Sequence, residues 1–290
     1  MSNLIDTIGN TPLVEIKHHD LKPGVQIFAK LEGNNPGGSV KDRAALNMIR
    51  SAMERGEIKP ETKLIEATSG NTGIALAMIA SLYGLKLELV MPSTSTRERT
   101  LTMQAYGAEV TLLESMEICR DYAEEKAAKE GYFILNQFSN PDNYRAHIAT
   151  TAPEIWRDTK GKITHFVSSM GTTGTIMGTS IFLKEQKPDV QIVGCQPTEE
   201  SSIPGIRRWP TEYLPKIYDA SRVDRIIDIS QADATRRTRE LVQREGIFAG
   251  MSSGGAFHAA LQIASEIDEG VIVFIVCDRG DRYLSSDLFG

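Results

Sequence analysis

Cysteine and histidine are scarce in this sequence, which limits disulfide and metal chemistry. The 290 residues include three cysteines and five histidines, and no two of the cysteines form a C-x-x-C pair. The histidines offer no metal-ligand spacing beside these cysteines. We therefore expect neither a disulfide framework nor a metal site, and we expect the cysteines to be buried as small apolar side chains in a reducing cytoplasm.

An excess of positive charge is also absent. The chain has 32 lysines and arginines against 38 aspartates and glutamates, which gives a formal net charge of −6. Proteins that bind nucleic acids or anionic membranes normally carry a basic surface, because they neutralise phosphate groups. The charge balance argues against both kinds of partner and still leaves room for a local anion-binding site.

The sequence lacks long uninterrupted hydrophobic runs. Its most apolar stretch, residues 73–92, contains Ser81, Lys86 and Glu88 and is therefore too polar for a membrane span. The first residues have neither the basic nor the apolar region of a signal peptide, so we expect none. These features favour a cytoplasmic protein without a membrane partner.

Short apolar runs that alternate with segments of helical periodicity are abundant instead. The alternation is typical of βαβ units, in which helices cover both faces of a mainly parallel sheet. The sequence therefore predicts an α/β fold. The predicted strands are residues 25–29, 63–67, 85–91, 108–113, 133–135, 163–168, 190–193, 225–229 and 271–276.

Loops that follow these strands are the expected place for a site, because ligands of parallel sheets collect at the carboxyl ends of strands. The first, residues 33–43 (the Lys loop), places Lys41 in the first turn of a helix. The helix dipole disfavours a cation there and burial would lower the pKa of the amine, so both favour the neutral form that Schiff-base chemistry needs. Alternatively, Ser39 and Asp42 form an ordinary helix cap.

Three further loops combine glycine with hydroxyl side chains. Residues 68–73 (the Asn loop) carry two glycines, three hydroxyls and an amide, which suit a carboxylate at a helix N-terminus. Residues 171–175 (the Gly–Thr loop) match neither the Walker nor the dinucleotide-binding motif, and a short neutral loop of this kind suits a single phosphate monoester. Residues 250–255 (the Ser loop) open another helix. Each can instead be a polar turn whose Ser or Thr caps a helix.

In this order, the four loops resemble those of fold-type II pyridoxal-phosphate enzymes, and more narrowly of the cysteine synthases, or O-acetylserine sulfhydrylases. The resemblance extends from residues 8–13 to residues 278–283, nearly the whole chain. Residues 203–215 (the Arg loop) contain Arg207 and Arg208 and resemble the B-type isozymes, which accept thiosulfate as well as sulfide. The resemblance implies two open, mainly parallel twisted sheets flanked by helices, as in the tryptophan synthase β fold, with pyridoxal phosphate as cofactor.

The resemblance also implies a role for each site residue. Lys41 forms the Schiff base with the cofactor and, once released, removes the α-proton of the substrate. Asn71 contacts the phenolic oxygen of the cofactor and Ser252 its pyridine nitrogen. The cofactor phosphate is held by Gly171, Thr172, Thr173, Gly174 and Thr175. The substrate α-carboxylate is held by Thr68, Ser69, Thr72 and Gln137, and thiosulfate by Arg207 and Arg208.

The implied reaction is a β-replacement, in which O-acetylserine loses acetate and sulfide or thiosulfate then adds at Cβ. The products are cysteine and S-sulfocysteine. The resemblance further implies a homodimer, with a smaller domain at residues 35–148 and a larger one formed by residues 1–34 and 149–290. Two alternatives remain at this point: a serine or threonine dehydratase-type lyase, and a non-enzymatic binding or regulatory protein on the same fold. The Asn loop argues against the first, and an intact Lys41 against the second.

Overall fold

A computed structural model describes residues 3–68, 70–93 and 95–290 and contains two sheets. In the larger sheet the strand order is β1-β2-β10-β7-β8-β9, and every pairing is parallel except that of β1 with β2. These strands are β1 (Leu13–Glu15), β2 (Gly24–Leu31), β7 (His165–Ser169), β8 (Gln191–Pro197), β9 (Arg225–Ile229) and β10 (Glu269–Val276).

The smaller sheet is parallel throughout, with the strand order β5-β4-β3-β6. Its strands are β3 (Lys63–Ala67), β4 (Lys86–Pro92), β5 (Glu109–Leu113) and β6 (Phe133–Ile134). A fold of two mainly parallel sheets confirms the fold class predicted from the sequence. The short edge strand β1 was not predicted, because three residues are too few to show an alternating pattern.

Helices cover both sheets. They are α1 (Lys41–Glu54), α2 (Asn71–Tyr83), α3 (Arg97–Ala105), α4 (Met116–Glu130), α5 (Pro141–Ala146), α6 (Ala152–Asp158), α7 (Gly174–Gln186), α8 (Gln231–Glu245) and α9 (Met251–Glu266). A π-helical turn, His147–Thr151, joins α5 to α6. Within the described residues, no helix is long and apolar enough to cross a membrane.

Packing against the smaller sheet explains the composition of α1 and α2. Helix α1 buries Ala45, Met48, Ile49 and Ala52, the i, i+3, i+4, i+7 spacing of one helix face. Helix α2 has no charged residue and is buried over most of its length, because it lies between α1 and the sheet. Both helices belong to one apolar cluster with residues of β3 and β4, and this cluster fixes the beginnings of both helices beside the ends of the strands.

We propose that residues 35–148 form a smaller domain and that residues 1–34 and 149–290 form a larger one. The support for this division is the sheet membership of the strands. All four strands of the smaller sheet lie between residues 63 and 134, and the six strands of the larger sheet lie outside that range.

The carboxyl ends of β2, β3 and β7 lead into three of the loops singled out in the sequence. Strand β3 is followed by the Asn loop, and β7 by the Gly–Thr loop. Just beyond β10, the Cys277 carbonyl accepts the N–H of Val40 at 2.8 Å, and Ser39 forms an isolated antiparallel bridge with Asp278. The end of the larger sheet is thereby bonded to the Lys loop at the residue before Lys41.

Candidate active site

Lys41 begins α1 and is half-buried. Burial lowers the pKa of its amine from the ordinary value, while Cys277 and Asp278 act in the opposite direction through their charges. A neutral amine is the form that attacks a carbonyl carbon, so the lowered pKa favours the form that Schiff-base chemistry needs. The capping interpretation is wrong, because the N-cap of α1 is Val40 and no side chain caps the helix. Ser39 Oγ accepts the Lys41 N–H at 3.2 Å, and the Asp42 carboxylate accepts the N–H of Gly37.

The Gly–Thr loop turns sharply into α7. Thr173 has φ 69° and ψ −3°, a left-handed conformation that is uncommon for threonine. A Cβ at Gly174 would lie 2.0 Å from Asn143 Oδ1, and one at Gly171 would lie 2.5 Å from the Gly205 carbonyl oxygen. Both positions therefore require glycine. The turn exposes the first N–H groups of α7, which have no acceptor within the helix.

Two hydroxyls of this loop support its predicted role in binding a phosphate. Thr173 Oγ1 is buried and has no hydrogen-bond partner among the described residues. Thr175 Oγ1 lies 3.4 Å from His147 Nε2, and burial lowers the pKa of this histidine well below its usual range, so the ring is neutral. A phosphate monoester accepts hydrogen bonds from orphaned hydroxyls and from helix N-terminal N–H groups. The loop therefore fits the phosphate of pyridoxal phosphate.

The carboxylate site, defined here as Thr68, Thr72 and Gln137, is buried and contains two residues that contact each other directly. Thr72 Oγ1 donates to Gln137 Oε1 at 2.6 Å, and Thr68 is 4% exposed. Asn143 Nδ2 donates both to the Gln137 carbonyl at 2.7 Å and to Thr172 Oγ1 at 3.2 Å. Asn143 thus connects the carboxylate site to the Gly–Thr loop. The fourth predicted carboxylate ligand, Ser69, lies outside the described residues.

Asn71 is held by the segment that follows β10. Its Nδ2 donates to Asp278 Oδ2 at 2.7 Å, and its Oδ1 accepts from Arg282, which also donates to the Gly37 carbonyl. Tyr283 donates its hydroxyl to the same Asp278 oxygen at 2.6 Å. This segment thereby fixes the Asn loop next to the Lys loop.

Ser252 lies in the first turn of α9 and is buried. Its carbonyl accepts from Ser169 Oγ at 2.7 Å, and its hydroxyl forms a hydrogen bond with Cys277. This bond lowers a thiol pKa that burial raises to about 11. Since Cys277 precedes Asp278 and its carbonyl accepts from Val40, the Ser loop belongs to the same site as Lys41.

The two arginines of the Arg loop differ in exposure and in their partners. Arg207 is exposed, and its charge contributes to lowering the pKa of Glu117. Arg208 forms an ion pair with Asp228 and donates to the Pro197 carbonyl at 3.1 Å. The structure therefore does not bring the two guanidinium groups together.

The Arg loop itself is anchored to the site. Trp209 Nε1 donates to the Gly171 carbonyl at 2.8 Å, and the Arg207 N–H donates to the Met170 carbonyl at 3.1 Å. The backbone of Gly205 lies against Gly171, as its carbonyl restricts that glycine. The Arg loop therefore covers one side of the Gly–Thr loop.

The cysteines are unbonded, and two of them, Cys119 and Cys195, are buried. Over residues 3–68, 70–93 and 95–290, no group of three His, Cys, Asp or Glu side chains could hold a metal ion. Sequence reasoning missed Asn143 and His147, although the polar run from Asn136 to Asn143 in a chain of apolar strands was a signal that could have led to Asn143.

Comparison with known proteins identifies the family. Residues 4–278 match the model of the family described as "Pyridoxal-phosphate dependent enzyme". The chain is 59% identical to cysteine synthase B of Escherichia coli over 293 residues, covering 100% of this chain and 97% of that one. It is 58% identical to cysteine synthase B of Pseudomonas aeruginosa, covering 99% and 97%.

Solved structures agree with these relatives. Cysteine synthase from Entamoeba histolytica matches with a TM-score of 0.95 at 40% identity, covering 100% of this chain and 90% of that one. O-ureido-L-serine synthase matches with a TM-score of 0.94 at 36% identity, covering 100% and 95%. The chain belongs to the family of pyridoxal-phosphate dependent enzymes and, within it, to the cysteine synthases.

Proposed function

We propose that this enzyme makes cysteine or S-sulfocysteine by β-replacement on O-acetylserine, with sulfide or thiosulfate as the sulfur donor and pyridoxal phosphate as cofactor. The observation that carries the proposal is the position of Lys41. Its amine has a lowered pKa, and the residue before it is bonded to the end of β10, which also bonds the Asn loop through Asp278. On the other side, the charge of Lys41 acts on His147, which contacts Thr175 of the Gly–Thr loop. A carboxylate, a phosphate and a reacting Cα can then be held around this amine.

Each loop has one part of the cofactor to hold. When bound, pyridoxal phosphate supplies an electron sink for negative charge at the substrate Cα. We propose that Gly171, Thr172, Thr173, Gly174 and Thr175 hold its phosphate, that Asn71 contacts its phenolic oxygen and that Ser252 faces its pyridine nitrogen. Because serine is a neutral partner, it protonates the ring less than a carboxylate would, which favours rapid elimination over a long-lived carbanion.

The carboxylate site orients the substrate. The Oε1 atom of Gln137 is already occupied by the Thr72 hydroxyl, so the Nε2 atom is left to donate to the substrate carboxylate. The hydroxyl of Thr68 and, by the resemblance, that of Ser69 would add donors. With the carboxylate fixed, the free amine of Lys41 would accept the proton from the substrate Cα. Asp278 favours the resulting ammonium, as its charge raises the pKa of Lys41.

The Arg loop is proposed to select the sulfur donor. Arg207 and Arg208 place two positive charges in a loop that is bonded to the Gly–Thr loop through Trp209. A dianion such as thiosulfate is attracted to them, whereas sulfide needs no such contact. We expect Arg207 to contribute more, because Arg208 is already ion-paired with Asp228.

We further propose that the enzyme is a cytoplasmic homodimer whose partners are its small-molecule substrates. The support for this proposal is the resemblance to the cysteine synthases.

A product assay tests the proposed function. Purified holoenzyme supplied with O-acetylserine and either sulfide or thiosulfate should release one acetate per cysteine or S-sulfocysteine formed. With serine alone, pyruvate should be negligible. Pyruvate from serine at a rate comparable to that of the synthesis would favour the dehydratase alternative, and no product from any of these substrates would favour the non-enzymatic one.

A further inference from the structure

A buried carboxylate lies beside the carboxylate site and has no part in the function proposed above. Glu66 is on β3, two residues before Thr68, and is 3% exposed. Its oxygens accept the N–H of Asn136 at 3.0 Å and of Gln137 at 3.3 Å, and the backbone of Leu135 adds a further hydrogen bond. One side chain of β3 therefore holds the main chain of the segment that carries Gln137.

The backbone around Gln137 needs the Glu66 carboxylate as an acceptor because strand β6 ends just before it. Strand β6 pairs with β3 only at Phe133 and Ile134, opposite Leu64 and Ile65. The chain then leaves the sheet, and Asn136 has φ 53°, in the left-handed region. The N–H groups after β6 therefore have no strand partner, and Glu66 supplies the acceptors. Gln137 is buried, so its N–H would be costly to leave without an acceptor.

The charges around Glu66 do not account for its burial. Among the ion pairs of the described residues, none includes Glu66. The pKa of Glu66 is raised to about 7, because the effect of burial outweighs the lowering by the hydrogen bonds from Asn136, Gln137 and Leu135 and by the charge of Arg120 on α4.

The residues of α1 and α2 in the apolar cluster on the same face of the sheet add no charge. Leu64, two residues before Glu66 and thus on the same face, packs against α1 and α2. Helix α2 has no charged residue, and the α1 residues in this cluster are alanine, methionine and isoleucine. On β4 the residue in register with Glu66 is Leu89. The contacts of Glu66 are therefore with the main chain around Gln137.

We propose that Glu66 is a positioning residue for the substrate carboxylate, which holds the Gln137 main chain so that its amide meets both Thr72 and the substrate. This inference rests on the proposed function. Gln137 has two hydrogen bonds to this part of the chain. Its backbone N–H donates to Glu66 on β3, and its side chain accepts from Thr72 on α2. If the backbone contact is lost, the amide can no longer point toward both partners, so the substrate carboxylate has fewer donors and binds more weakly. A substrate that does bind is still held by the remaining donors of the carboxylate site, so its proton transfer to Lys41 changes little.

The test compares Glu66→Gln with Glu88→Gln, a matched control on the neighbouring strand. Glu88 is also 3% exposed, but its carboxylate bonds Thr111, Tyr122 and Lys126. Stopped-flow absorbance of the cofactor band gives the half-saturating O-acetylserine concentration and the maximal rate of the first half-reaction. Hydrogen exchange of the cofactor-free proteins gives the protection of residues 134–140.

Glu66→Gln should raise the half-saturating concentration roughly tenfold and keep the maximal rate within about twofold, the pattern of lost substrate binding. It should also speed exchange in residues 134–140. Glu88→Gln should change neither value, although it lowers the melting temperature. Glu66→Leu, which removes both acceptors, should enlarge both effects if it folds.

Several results would overturn the proposal. They are unchanged exchange in Glu66→Gln, an unchanged half-saturating concentration, a fall in the maximal rate alone, or equal effects in the two Gln variants. Failure of the proposed function is recognised separately, because the wild-type enzyme would then not respond to O-acetylserine at all. In that case the role of Glu66 is decided by two measurements on Glu66→Gln. Faster exchange in residues 134–140, together with weaker binding of the amino acid that does change the cofactor band, would support it, and unchanged values would overturn it.

Discussion

The Gly–Thr loop and the carboxylate site each hold an anion in the proposed function, but they are built differently. The Gly–Thr loop is a single run of five residues, whose glycines are required by the Asn143 side chain and the Gly205 backbone. The carboxylate site joins Thr72 and Gln137, which are 65 positions apart, and depends on the side chain of Glu66 for its alignment. One anion site is made by local backbone, and the other by contacts between distant segments.

The difference determines how each site fails. A local backbone site is lost when a side chain is added to it, because the N–H groups can then no longer converge on the ligand. An assembled site is lost when a side-chain contact is removed. Variants of the two sites should therefore separate cofactor affinity from substrate affinity.

Lys41→Ala should have the largest effect, because the cofactor and the substrate held by the two sites both react with this residue. Without the amine there is no covalent link to the cofactor and no base, so the turnover rate should fall by roughly 10³-fold or more. Cofactor should still bind through the Gly–Thr loop. Steady-state kinetics and an absorbance spectrum check this pair of outcomes, and a variant with more than a tenth of wild-type turnover would contradict the role of Lys41.

Gly174→Ala should damage the local site next. The added Cβ would lie 2.0 Å from Asn143 Oδ1, so the loop must move, and we expect cofactor affinity to fall about 10- to 100-fold. At saturating cofactor the half-saturating O-acetylserine concentration should change little. Gly255→Ala is the matched control, since its nearest neighbour would be 3.5 Å away. Cofactor titration of the apoenzymes measures both, and equal affinities would count against the Gly–Thr loop as the phosphate site.

Thr72→Val should damage only the assembled site. It removes the hydroxyl that orients Gln137, and a loss of about 1–2 kcal/mol corresponds to a roughly tenfold higher half-saturating O-acetylserine concentration. Cofactor affinity should stay at the wild-type value. In a double-mutant cycle with Gln137→Leu the two effects should be strongly non-additive, because each variant breaks the same contact. Additive effects would show that the two residues act independently.

The arginines allow a finer comparison on the sulfur-donor side. Arg207→Ala should reduce kcat/KM for thiosulfate by about fivefold, the value of an exposed charge contact, with no change for sulfide. Arg208→Ala should have a smaller effect on thiosulfate, because this side chain is ion-paired with Asp228. Assays with the two donors separate these outcomes. Equal losses for sulfide and thiosulfate would contradict the role of the Arg loop in donor selection.

A pH effect should be the smallest and should affect only the assembled site. Glu66 has its pKa raised to about 7 by burial, so it is ionised above that pH and protonated below it. Protonation removes acceptor capacity, so the half-saturating concentration of the free-amine form of O-acetylserine should rise about two- to threefold from pH 8 to 6.5. Glu66→Gln should lack this rise. The same rise in the variant would assign it to another group.

The same contrast explains what could be predicted from the sequence. The predicted strands and the Gly–Thr loop are local patterns, and the structure places that loop between β7 and α7, where it was expected. The contacts of Asn71 with Asp278 and Arg282 join residues more than 200 positions apart, so no local pattern could predict them. Glu66 was not singled out from the sequence, because a single glutamate in an apolar strand is normally expected to face solvent.

The arginine pair shows that two neighbouring residues in a sequence need not act together in the structure. Arg207 and Arg208 are adjacent, but Arg208 is ion-paired with Asp228, whereas Arg207 is exposed and its charge acts on Glu117. Which of two adjacent charges faces a ligand depends on the acids that fold back against them.

The most direct test of the central claim, that Lys41 with its two anion sites performs a β-replacement on O-acetylserine, is an absorbance titration of the purified holoenzyme. O-acetylserine should shift the cofactor band, and thiosulfate or sulfide, added next, should return it to its starting position. The Lys41→Ala variant should not complete this cycle. A cofactor band that O-acetylserine leaves unchanged in the wild-type enzyme would contradict a β-replacement on O-acetylserine at Lys41.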